Sequence, residues 1–209
     1  MANSDFNEKF WEKEWHPQNI PMHTSDENKD LFYMNIAKLA AARSKCASRG
    51  IGAVLVRDDN VLSWGCNGSP PGVDLCQDTL SDCPRQEAGY KSGEGLHLCP
   101  AQHAERNAIL QAAKHGISTN GATLYCYCGL PCMECWKAII CAGIARVVYI
   151  AKESSSKFER DETGNLTAFD KDGHLIRYDD LSVVLANQSG IEIDSYSEEA
   201  VKNAVLREE

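Results

Sequence analysis

The chain has 209 residues, of which 43% are hydrophobic and 24% are charged, and its formal net charge at pH 7 is −9. A chain of this length buries one sizeable core, so we expect one domain rather than two. The acidic balance argues against long nucleic acid as a partner, because phosphate contacts need clustered Lys and Arg. A small phosphorylated ligand needs only a few local cations.

The sequence contains no apolar run of about 18 residues, the length of a membrane-spanning helix. Its start is polar and charged, unlike a signal peptide. We therefore expect a cytoplasmic protein that does not contact a membrane. Ten cysteines in such a chain predict thiols and metal ligation in a reducing compartment rather than a disulfide scaffold.

The composition changes along the chain and predicts three parts. Residues 1–30 are polar and show no sustained period, so we interpret them as an arm that packs on the body through its aromatic residues. The folded domain is expected at 31–209, with a core at 31–151 and a polar extension at 152–209.

Hydrophobic periodicity predicts a helix and then a hairpin at the start of the domain. The helix begins at Leu31, and helical spacing relates Phe32, Ile36, Leu39, Ala40 and Arg43. The stretch IGAVLVRDDNVLSWG has two apolar runs around the turn signal Asp58-Asp59-Asn60. The following segment, at about 66–100, is dense in Gly, Pro, Asp and Cys and predicts a long irregular loop of the kind that is usually functional or cross-linked.

Four further segments predict two parallel strands joined by a crossover helix. In chain order they are the helix AERNAILQAAKHG, the strand ATLYCY, the helix CMECWKAIICAG and the strand IARVVYIA. In the extension, TAFDKDGHLIRY predicts a small hairpin around Lys171-Asp172-Gly173, and LSVVLANQSGIEI predicts a last helix and strand.

Two cysteines at the start of a predicted helix suit a metal ion. Cys132 and Cys135 are three residues apart, so their side chains share one helix face, and the positive end of the helix favours their thiolates. Zinc needs a third ligand, which His103 offers at the head of the preceding helix. Three protein ligands leave one zinc position for water, as in catalytic sites. Glu105 would then be the general acid and base, outside the coordination sphere.

Other interpretations of these residues stay open at this point. A lone CxxC pair is also typical of a redox disulfide or of helix packing, and a closed structural zinc site could include Cys126 or Cys128. Glu105 alone would be a solvated carboxylate at a helix start. The combination with the upstream HxE favours the open zinc site.

The wider sequence resembles the zinc-dependent cytidine and deoxycytidylate (dCMP) deaminases. The resemblance is carried by HAE at 103–105, by PCMEC at 131–135, and by the stretch SKCASRGIGAVLVRDDNVLSWGCNGSPPG. It implies an α/β fold, a three-layer α/β/α cytidine-deaminase-like sandwich with a mixed five-stranded sheet. It also implies zinc-dependent hydrolytic deamination of dCMP to dUMP and ammonia, which supplies dUMP for thymidylate synthesis.

The resemblance implies roles for residues around the zinc site. The zinc ligands and the acid/base of the family correspond to the residues identified above. Asn67 matches the family asparagine that holds the sugar or ring of the substrate, although Asn-Gly is also a plain turn signal. Ala104 and Pro131 would contact the substrate.

The resemblance also implies regulation and assembly. Family members with this glycine loop often bind dCTP as an activator, with dTTP as an inhibitor, and form homo-oligomers, often hexamers. The regulatory nucleotide is expected near Gly68, Ser69 and Lys114. The cation that binds a substrate phosphate stays open among Arg43, Lys45, Arg49 and Lys114.

A second, structural zinc is implied by some microbial and viral relatives. The matching positions are Cys46, Cys76, His97 and Cys99, with Cys83 as a spare candidate. Four nitrogen and sulfur ligands close a zinc site and would tie the long loop to the first helix. The alternative is that these cysteines are free thiols.

Two departures from the family pattern border the expected pocket. The run Cys126-Tyr127-Cys128-Gly129-Leu130 is one residue longer than in the family, and the tyrosine that usually follows RVVY is missing. Other substrates therefore stay open: dCTP, a modified dCMP, a cytidine-type ligand, guanine or a tRNA adenosine. The alternatives from other classes are a non-catalytic zinc-binding module and a CxxC oxidoreductase.

Overall fold

The computed structural model describes residues 26–73, 76, 83–90, 95–151, 157–160, 162, 166–169 and 181–204. Within these ranges the strands are β1 (Gly52–Arg57), β2 (Asn60–Cys66), β3 (Thr123–Tyr127), β4 (Arg146–Ala151), β5 (Lys157–Arg160), β6 (Leu166–Phe169) and β7 (Glu192–Ser197). The helices are α1 (Asp26–Ala41), α2 (Pro84–Glu87), α3 (Ala104–Lys114), α4 (Met133–Cys141), α5 (Leu181–Gln188) and α6 (Glu198–Asn203), with a 3-10 turn at Leu96–Leu98.

The centre of the fold is a mixed five-stranded sheet with the strand order β2-β1-β3-β4-β7. β1 runs antiparallel to β2 and to β3, whereas β3 is parallel to β4 and β4 is parallel to β7. The predicted strand-helix-strand crossover is therefore present as β3-α4-β4. A parallel pair joined in this way places both strand C-terminal ends at one edge of the sheet.

Alternating side chains of the central strands divide the core into two layers. On one face, Ala53 and Leu55 of β1 pack in a cluster with α3, α4 and α5. On the other face, Val54 and Val56 pack in a cluster with α1 and with Val201 of α6. Since β-strand side chains alternate between faces, one buried strand serves both layers. The fold class implied by the resemblance, a three-layer α/β/α sandwich, is confirmed.

The hairpin and the last helix and strand lie where the sequence predicted them. Asp58 and Asp59 both have positive φ, 52° and 57°, which is the backbone of a tight two-residue turn between β1 and β2. In the extension, β5 pairs with β6, so the described hairpin precedes the predicted one. The predicted turn at Lys171-Asp172-Gly173 lies outside the described residues, as does the predicted arm up to residue 25.

Helix α1 differs from its prediction in its ends and in its buried face. It begins at Asp26, inside the segment expected as arm, and ends at Ala41. Phe32 and Leu39, two of the residues related by the predicted period, are 60% and 72% exposed, whereas Tyr33 and Met34 are buried. The segment is helical, but a helix so rich in Ala and aromatic residues has apolar side chains on more than one face, and the buried face is not the one that the predicted period marks.

Two glycines allow helices to lie directly on the sheet. A Cβ at Gly52 would overlap backbone atoms of α1, and a Cβ at Gly65 would overlap the carbonyl oxygen of Ala104 and the amide nitrogen of Ala108 in α3. Gly65 therefore sets how closely the N-terminal half of α3 approaches β2.

A buried carboxylate of α1 joins that helix to three strands of the sheet, β3, β4 and β7. Asp30 of α1 accepts two hydrogen bonds from Arg146 at the start of β4, 2.8 and 2.6 Å long. It also accepts hydrogen bonds from Tyr125 at 2.7 Å and from Tyr196 at 3.0 Å. Burial opposes its ionisation, but the hydrogen bonds from Arg146 and Tyr125 outweigh that effect and hold the pKa of Asp30 below its usual range.

In the described ranges, no helix is both long enough and apolar enough to cross a bilayer.

We expect Gly65→Ala to lower the free energy of unfolding by about 2 kcal/mol, because the added methyl group forces α3 away from β2. Urea denaturation measures the change. Gly129→Ala is the matched control, since a Cβ there meets no atom within 4 Å. Equal effects of the two substitutions would contradict the close-packing role of Gly65.

We expect Asp30→Asn to lower the free energy of unfolding at pH 7 by about 3 kcal/mol, because Arg146 loses its buried counter-charge. Asp59→Asn is the control, since the Asp59 side chain is 63% exposed. The folded-state pKa of Asp30 is lowered, so its stabilisation is present above about pH 4 and is lost as the pH falls through the folded-state value. Denaturation at pH 7 and at pH 3 should therefore show a smaller difference between Asp30→Asn and the wild type at pH 3.

Candidate active site

The candidate site lies where the N-termini of α3 and α4 meet at one edge of the sheet. His103 is the residue directly before α3, and Cys132 is the residue directly before α4; both have extended backbone, with ψ of 151° and 167°. Each residue therefore projects its side chain from a helix start, where unpaired N–H groups and the helix dipole favour negative charge.

Three ligand atoms converge at this point. His103 Nδ1 lies 3.3 Å from Cys132 Sγ and 3.4 Å from Cys135 Sγ, and the three ligand atoms lie within 4.8 Å of one another. A tetrahedral zinc ion separates a nitrogen ligand from a sulfur ligand by about 3.5 Å, given bonds of about 2.0 and 2.3 Å. The donor set and its spacing therefore fit zinc.

The protonation of the three groups is strongly coupled. A hydrogen bond from Cys135 lowers the pKa of Cys132 to about 4, and the same hydrogen bond raises the pKa of Cys135. The hydrogen bond with Cys132 raises the pKa of His103. The cluster thus holds an anionic sulfur together with a proton, and a cation can take the place of that proton.

The carboxylate of Glu105 is buried beside these ligands. Glu105 is only 3% exposed, and burial raises its pKa. Its Oε2 atom is buried and has no hydrogen-bond partner among the described residues. A buried polar atom without a partner is costly unless a ligand or water supplies one, so Oε2 is free to accept a hydrogen bond that the described residues do not provide.

Two further cysteines lie next to Glu105, and the sequence did not assign them this position. The Cys128 thiol approaches Glu105 Oε1 at 3.9 Å, and Cys126 is fully buried at the end of β3. Burial and the neighbouring Cys128 raise the pKa of Cys126 well above its usual range. Among the described residues, neither cysteine joins the group of convergent ligand atoms, so the closed structural zinc considered above gains no support here.

Asn67 is buried and its side chain holds a loop in place. Its Oδ1 accepts hydrogen bonds from the Ile51 amide at 2.8 Å and from the Ser44 hydroxyl at 2.6 Å. Its Nδ2 donates to the Arg49 carbonyl at 2.9 Å. Asn67 thus makes more hydrogen bonds than a turn residue needs. Among the described residues, Arg49 is the one acceptor for its Nδ2 group.

The glycine loop is joined to the metal ligands by backbone atoms. Gly68 and Gln102 exchange N–H to carbonyl hydrogen bonds of 3.2 and 2.8 Å, and Gln102 directly precedes His103. Lys114 lies at the other end of α3, about 15 Å away along the helix axis. The structure therefore does not bring Lys114 together with Gly68 and Ser69, its expected partners in a regulatory site.

The other two residues that were predicted to contact the substrate lie beside the metal ligands. Ala104 is the first residue of α3, and Pro131 directly precedes Cys132; both are buried. Their backbone atoms, rather than their side chains, are the groups that a substrate ring could meet.

The residues of the expected second zinc site do not bring their ligand atoms together in the way that the His103 cluster does, as far as the described residues go. Burial raises the pKa of Cys76, and the neighbouring Cys46, Cys99 and Cys83 raise it further. His97 is exposed, and its ring packs edge-on against Tyr90 at 5.9 Å. Cys83, the spare candidate, is therefore a neighbour of Cys76, whereas His97 faces solvent.

Burial opposes ionisation of Cys83, but the N–H groups of Gln86 and Arg85 and the Arg85 side chain outweigh it and lower the pKa of this thiol. Arg85 itself is 7% exposed. Backbone N–H groups directed at a sulfur, with a buried cation beside it, stabilise a thiolate rather than a thiol.

A cavity of about 450 Å³ lies at the opposite edge of the sheet. Its lining includes Thr123 and Arg146, which begin β3 and β4, whereas the candidate site follows the C-terminal end of β3. Several charged groups at this edge pair with one another, for example Lys29 with Asp59. We therefore do not assign the catalytic chemistry to this cavity.

The sequence and the fold were compared with known proteins. Residues 27–151 match the family model for the cytidine and deoxycytidylate deaminase zinc-binding region. The chain is 37% identical over 151 residues to the deoxycytidylate deaminase of Schizosaccharomyces pombe, which covers 71% of this chain and 46% of that protein. It is 41% identical over 130 residues to the deoxycytidylate deaminase of Mycobacterium phage D29, which covers 60% of this chain and 95% of the phage protein.

A solved structure of similar fold is the dCMP deaminase of cyanophage S-TIM5 in complex with dCMP and dUMP. The TM-score is 0.55 and the identity 26%, and the match covers 83% of this chain and 100% of that one. The chain spans less than half the length of its relatives from S. pombe and from Saccharomyces cerevisiae, 46% and 39% respectively. The family match includes every residue of the His103, Cys132 and Cys135 cluster, and the chain belongs to the cytidine and deoxycytidylate deaminase family with its zinc-binding region.

Proposed function

We propose that the chain is a zinc-dependent hydrolase that converts dCMP and water to dUMP and ammonia. The observation that carries the proposal is the convergence of one imidazole and two sulfurs beside the buried carboxylate of Glu105. The match to the phage D29 enzyme over almost its whole length and the likeness to a structure that contains dCMP and dUMP support the choice of substrate.

His103, Cys132 and Cys135 would hold the zinc ion. When bound, zinc supplies a Lewis acid that makes water nucleophilic at neutral pH. With two thiolates and a neutral imidazole the ligands offset the charge of the ion, so the site benefits from a base that accepts a proton beside it.

Glu105 would be that base and then the acid. Its carboxylate accepts a proton as water attacks C4 of the cytosine ring and delivers it to N3. The second proton of the water passes through the same carboxylate to the amino group, the C4–N bond breaks, and ammonia leaves. The two protons of the water thus end on N3 and on ammonia, and one buried carboxylate serves both transfers.

Backbone and amide groups would orient the substrate. The Nδ2 group of Asn67 would donate to the sugar or the ring, and the N–H groups at the helix starts, of Ala104 and Cys132, are available to the ring. The backbone pairing of Gly68 with Gln102 fixes the position of Asn67 relative to these N–H groups. Donors that are already in position lower the free-energy cost of reorganising the site during the reaction.

A second, structural zinc forms part of the proposal, with Cys83 in place of His97. Its ligands would be Cys46, Cys76, Cys83 and Cys99. The effect of Cys46, Cys99 and Cys83 on the pKa of Cys76 and the thiolate-stabilising groups around Cys83 support this set. Among the described residues these sulfurs do not converge as the ligands at His103 do, so a zinc ion would draw them together. Four thiolates on zinc carry a net negative charge, which the buried Arg85 beside Cys83 would offset.

Three finer features stay predictions of the family resemblance. They are activation by dCTP and inhibition by dTTP, assembly into a homo-oligomer such as a hexamer, and a role in supplying dUMP for thymidylate synthesis. The separation of Lys114 from Gly68 and Ser69 means that a regulatory nucleotide would need cations other than Lys114 near the glycine loop.

We expect Glu105→Gln to lower kcat for dCMP by about 10³-fold or more while zinc remains bound, because the amide cannot accept and return a proton. Ammonia release and metal content by mass spectrometry measure the two effects. Glu134→Gln is the matched control: Glu134 lies next to Cys135 but is exposed and paired with Lys137, so its activity should stay near that of the wild type.

The ammonia-release assay also tests which compound is the substrate. The wild type should release ammonia from dCMP faster than from dCTP, guanine or adenosine. Activity on guanine without activity on any cytosine nucleotide would overturn the substrate, and zinc binding without turnover of any nucleotide would favour the non-catalytic module.

We expect two zinc ions per chain in protein purified without chelators, and one in Cys83→Ser, because the structural site loses a thiolate ligand. His97→Ala should retain two. Elemental analysis per chain gives the numbers. One zinc in the wild type, or loss of zinc from His97→Ala and not from Cys83→Ser, would contradict the proposed ligand set.

A further inference from the structure

Two thiols that are not metal ligands lie on the face of β3 that packs against α3 and α4. Cys126 is fully buried in that core layer, and Cys128 packs against the same layer. Tyr125 and Tyr127, which alternate with the two cysteines along the chain, pack in the layer of α1 instead. Because side chains alternate between the two faces of a strand, both thiols are directed toward the helices that carry the candidate site.

The backbone of Cys128 is held by the neighbouring strand. β3 ends at Tyr127, but the Cys128 carbonyl accepts a hydrogen bond of 2.8 Å from the Ile150 amide of β4. The hydrogen bonding between the two parallel strands therefore continues one residue beyond the end of β3. Cys128 thus has a fixed position next to the candidate site.

The two thiols and the carboxylate of Glu105 form a chain of hydrogen bonds. The Cys128 thiol donates to Glu105 Oε1, with 3.9 Å between sulfur and oxygen. Burial raises the pKa of Cys126, and a hydrogen bond with the Cys128 side chain raises it further. A hydrogen bond that raises the pKa of an acid is one in which the acid donates. Cys126 therefore donates to Cys128, and Cys128 donates to Glu105.

The two oxygens of Glu105 have different surroundings as a result. Oε1 accepts the hydrogen bond from Cys128, whereas Oε2 has no partner among the described residues. The last torsion of a glutamate side chain has only broad preferences, so a donor at one oxygen determines where the other oxygen lies. A thiol is a weak donor, but a charged acceptor strengthens its hydrogen bond.

Zinc binding would leave Cys128 as a thiol donor to Glu105. Burial raises the pKa of Glu105, and a hydrogen bond with Cys135 is among the effects that oppose this. A cysteine that binds zinc does so as a thiolate, which has no hydrogen to donate. Among the described residues, Cys128 does not belong to the group of convergent ligand atoms, so its hydrogen stays available to Glu105.

We propose that Cys128 is a positioning residue for the reaction: its thiol holds Oε1 of Glu105, so that Oε2 is the oxygen that exchanges protons with water and with the cytosine ring. The inference rests on the proposed deaminase function. Cys128 acts through Glu105, and Cys126 supports Cys128 from the core. A carboxylate that is already oriented needs less reorganisation when the proton is transferred.

The kinetic test removes the donor and keeps an apolar side chain in its place. Cys128→Val should lower kcat for dCMP by about fivefold with KM unchanged, the effect of losing a weak donor to a charged group. Cys128→Ser, which keeps a donor, should retain most of kcat. Both variants should have the zinc content of the wild type, measured by mass spectrometry, because Cys128 is not a ligand.

Cys141→Val is the matched control, since Cys141 is an exposed thiol at the end of α4. Its kcat and KM should equal those of the wild type. Equal losses of kcat in Cys128→Val and Cys128→Ser would indicate a packing role and overturn the positioning role. A loss that appears in KM alone, or no loss in Cys128→Val, would overturn it as well.

Infrared spectroscopy of the S–H stretching vibration reports the hydrogen bond without turnover. In zinc-loaded protein, the difference spectrum between the wild type and Cys128→Ser isolates the Cys128 band, which should lie at a lower wavenumber than the band of Cys141. In Glu105→Gln the Cys128 band should move to a higher wavenumber, because an uncharged amide oxygen is a weaker acceptor. An unchanged band would overturn the positioning role.

The two measurements separate the failure of this inference from the failure of the proposed function. A wild type that is inactive on dCMP would overturn the deaminase function, and the infrared comparison then decides the hydrogen bond by itself. Thermal unfolding identifies any variant that fails to fold. If Cys128→Val does so, Cys128→Ser and the comparison of the wild type with Glu105→Gln still support or overturn the contact.

Discussion

The position of two helix starts is the constraint on which the rest of this structure depends. His103 and Cys132 each directly precede a helix, and their side chains meet only because α3 and α4 lie side by side on the same face of the sheet. The parallel pairing of β3 and β4 requires a crossover helix between them, and Gly65 lets α3 lie against β2 without a side chain between them. The metal ligands are therefore aligned by backbone packing, and the surrounding N–H groups stabilise the sulfur anions.

The structural ion pair and the candidate active site lie in different parts of the sheet. Arg146, at the N-terminal end of β4, pairs with Asp30, and tyrosine hydroxyls from β3 and β7 donate to the same carboxylate, so α1, β3, β4 and β7 are tied together. Beyond the C-terminal end of β3 lie the ligands and the buried carboxylate of Glu105. A buried ion pair needs well-satisfied hydrogen bonds, and the pair of Asp30 and Arg146 has them. The polar groups around the metal ligands are therefore not required to hold the sheet together.

The sequence alone predicted the hairpin from its turn residues, the β3-α4-β4 crossover from its hydrophobic periodicity, and the residues of the metal cluster from the spacing of the ligands. Each of these features depends on a short-range pattern. Contacts between distant segments could not be predicted in the same way. The buried face of α1 was not resolved, since Phe32 and Leu39 look as apolar as Tyr33 and Met34. The choice between His97 and Cys83 depends on how the irregular loop folds over Cys76, and the multiple bonds of Asn67 depend on the path of the loop between α1 and β1.

The pairing of Gly68 with Gln102 uses only main-chain atoms. Side chains along both segments can therefore be exchanged by mutation without breaking the hydrogen-bonded link between the glycine loop and the residue before His103. A protein built in this way can acquire a new substrate preference over evolutionary time while its metal ligands keep their positions. This is one physical route by which a single scaffold gives rise to deaminases of different bases.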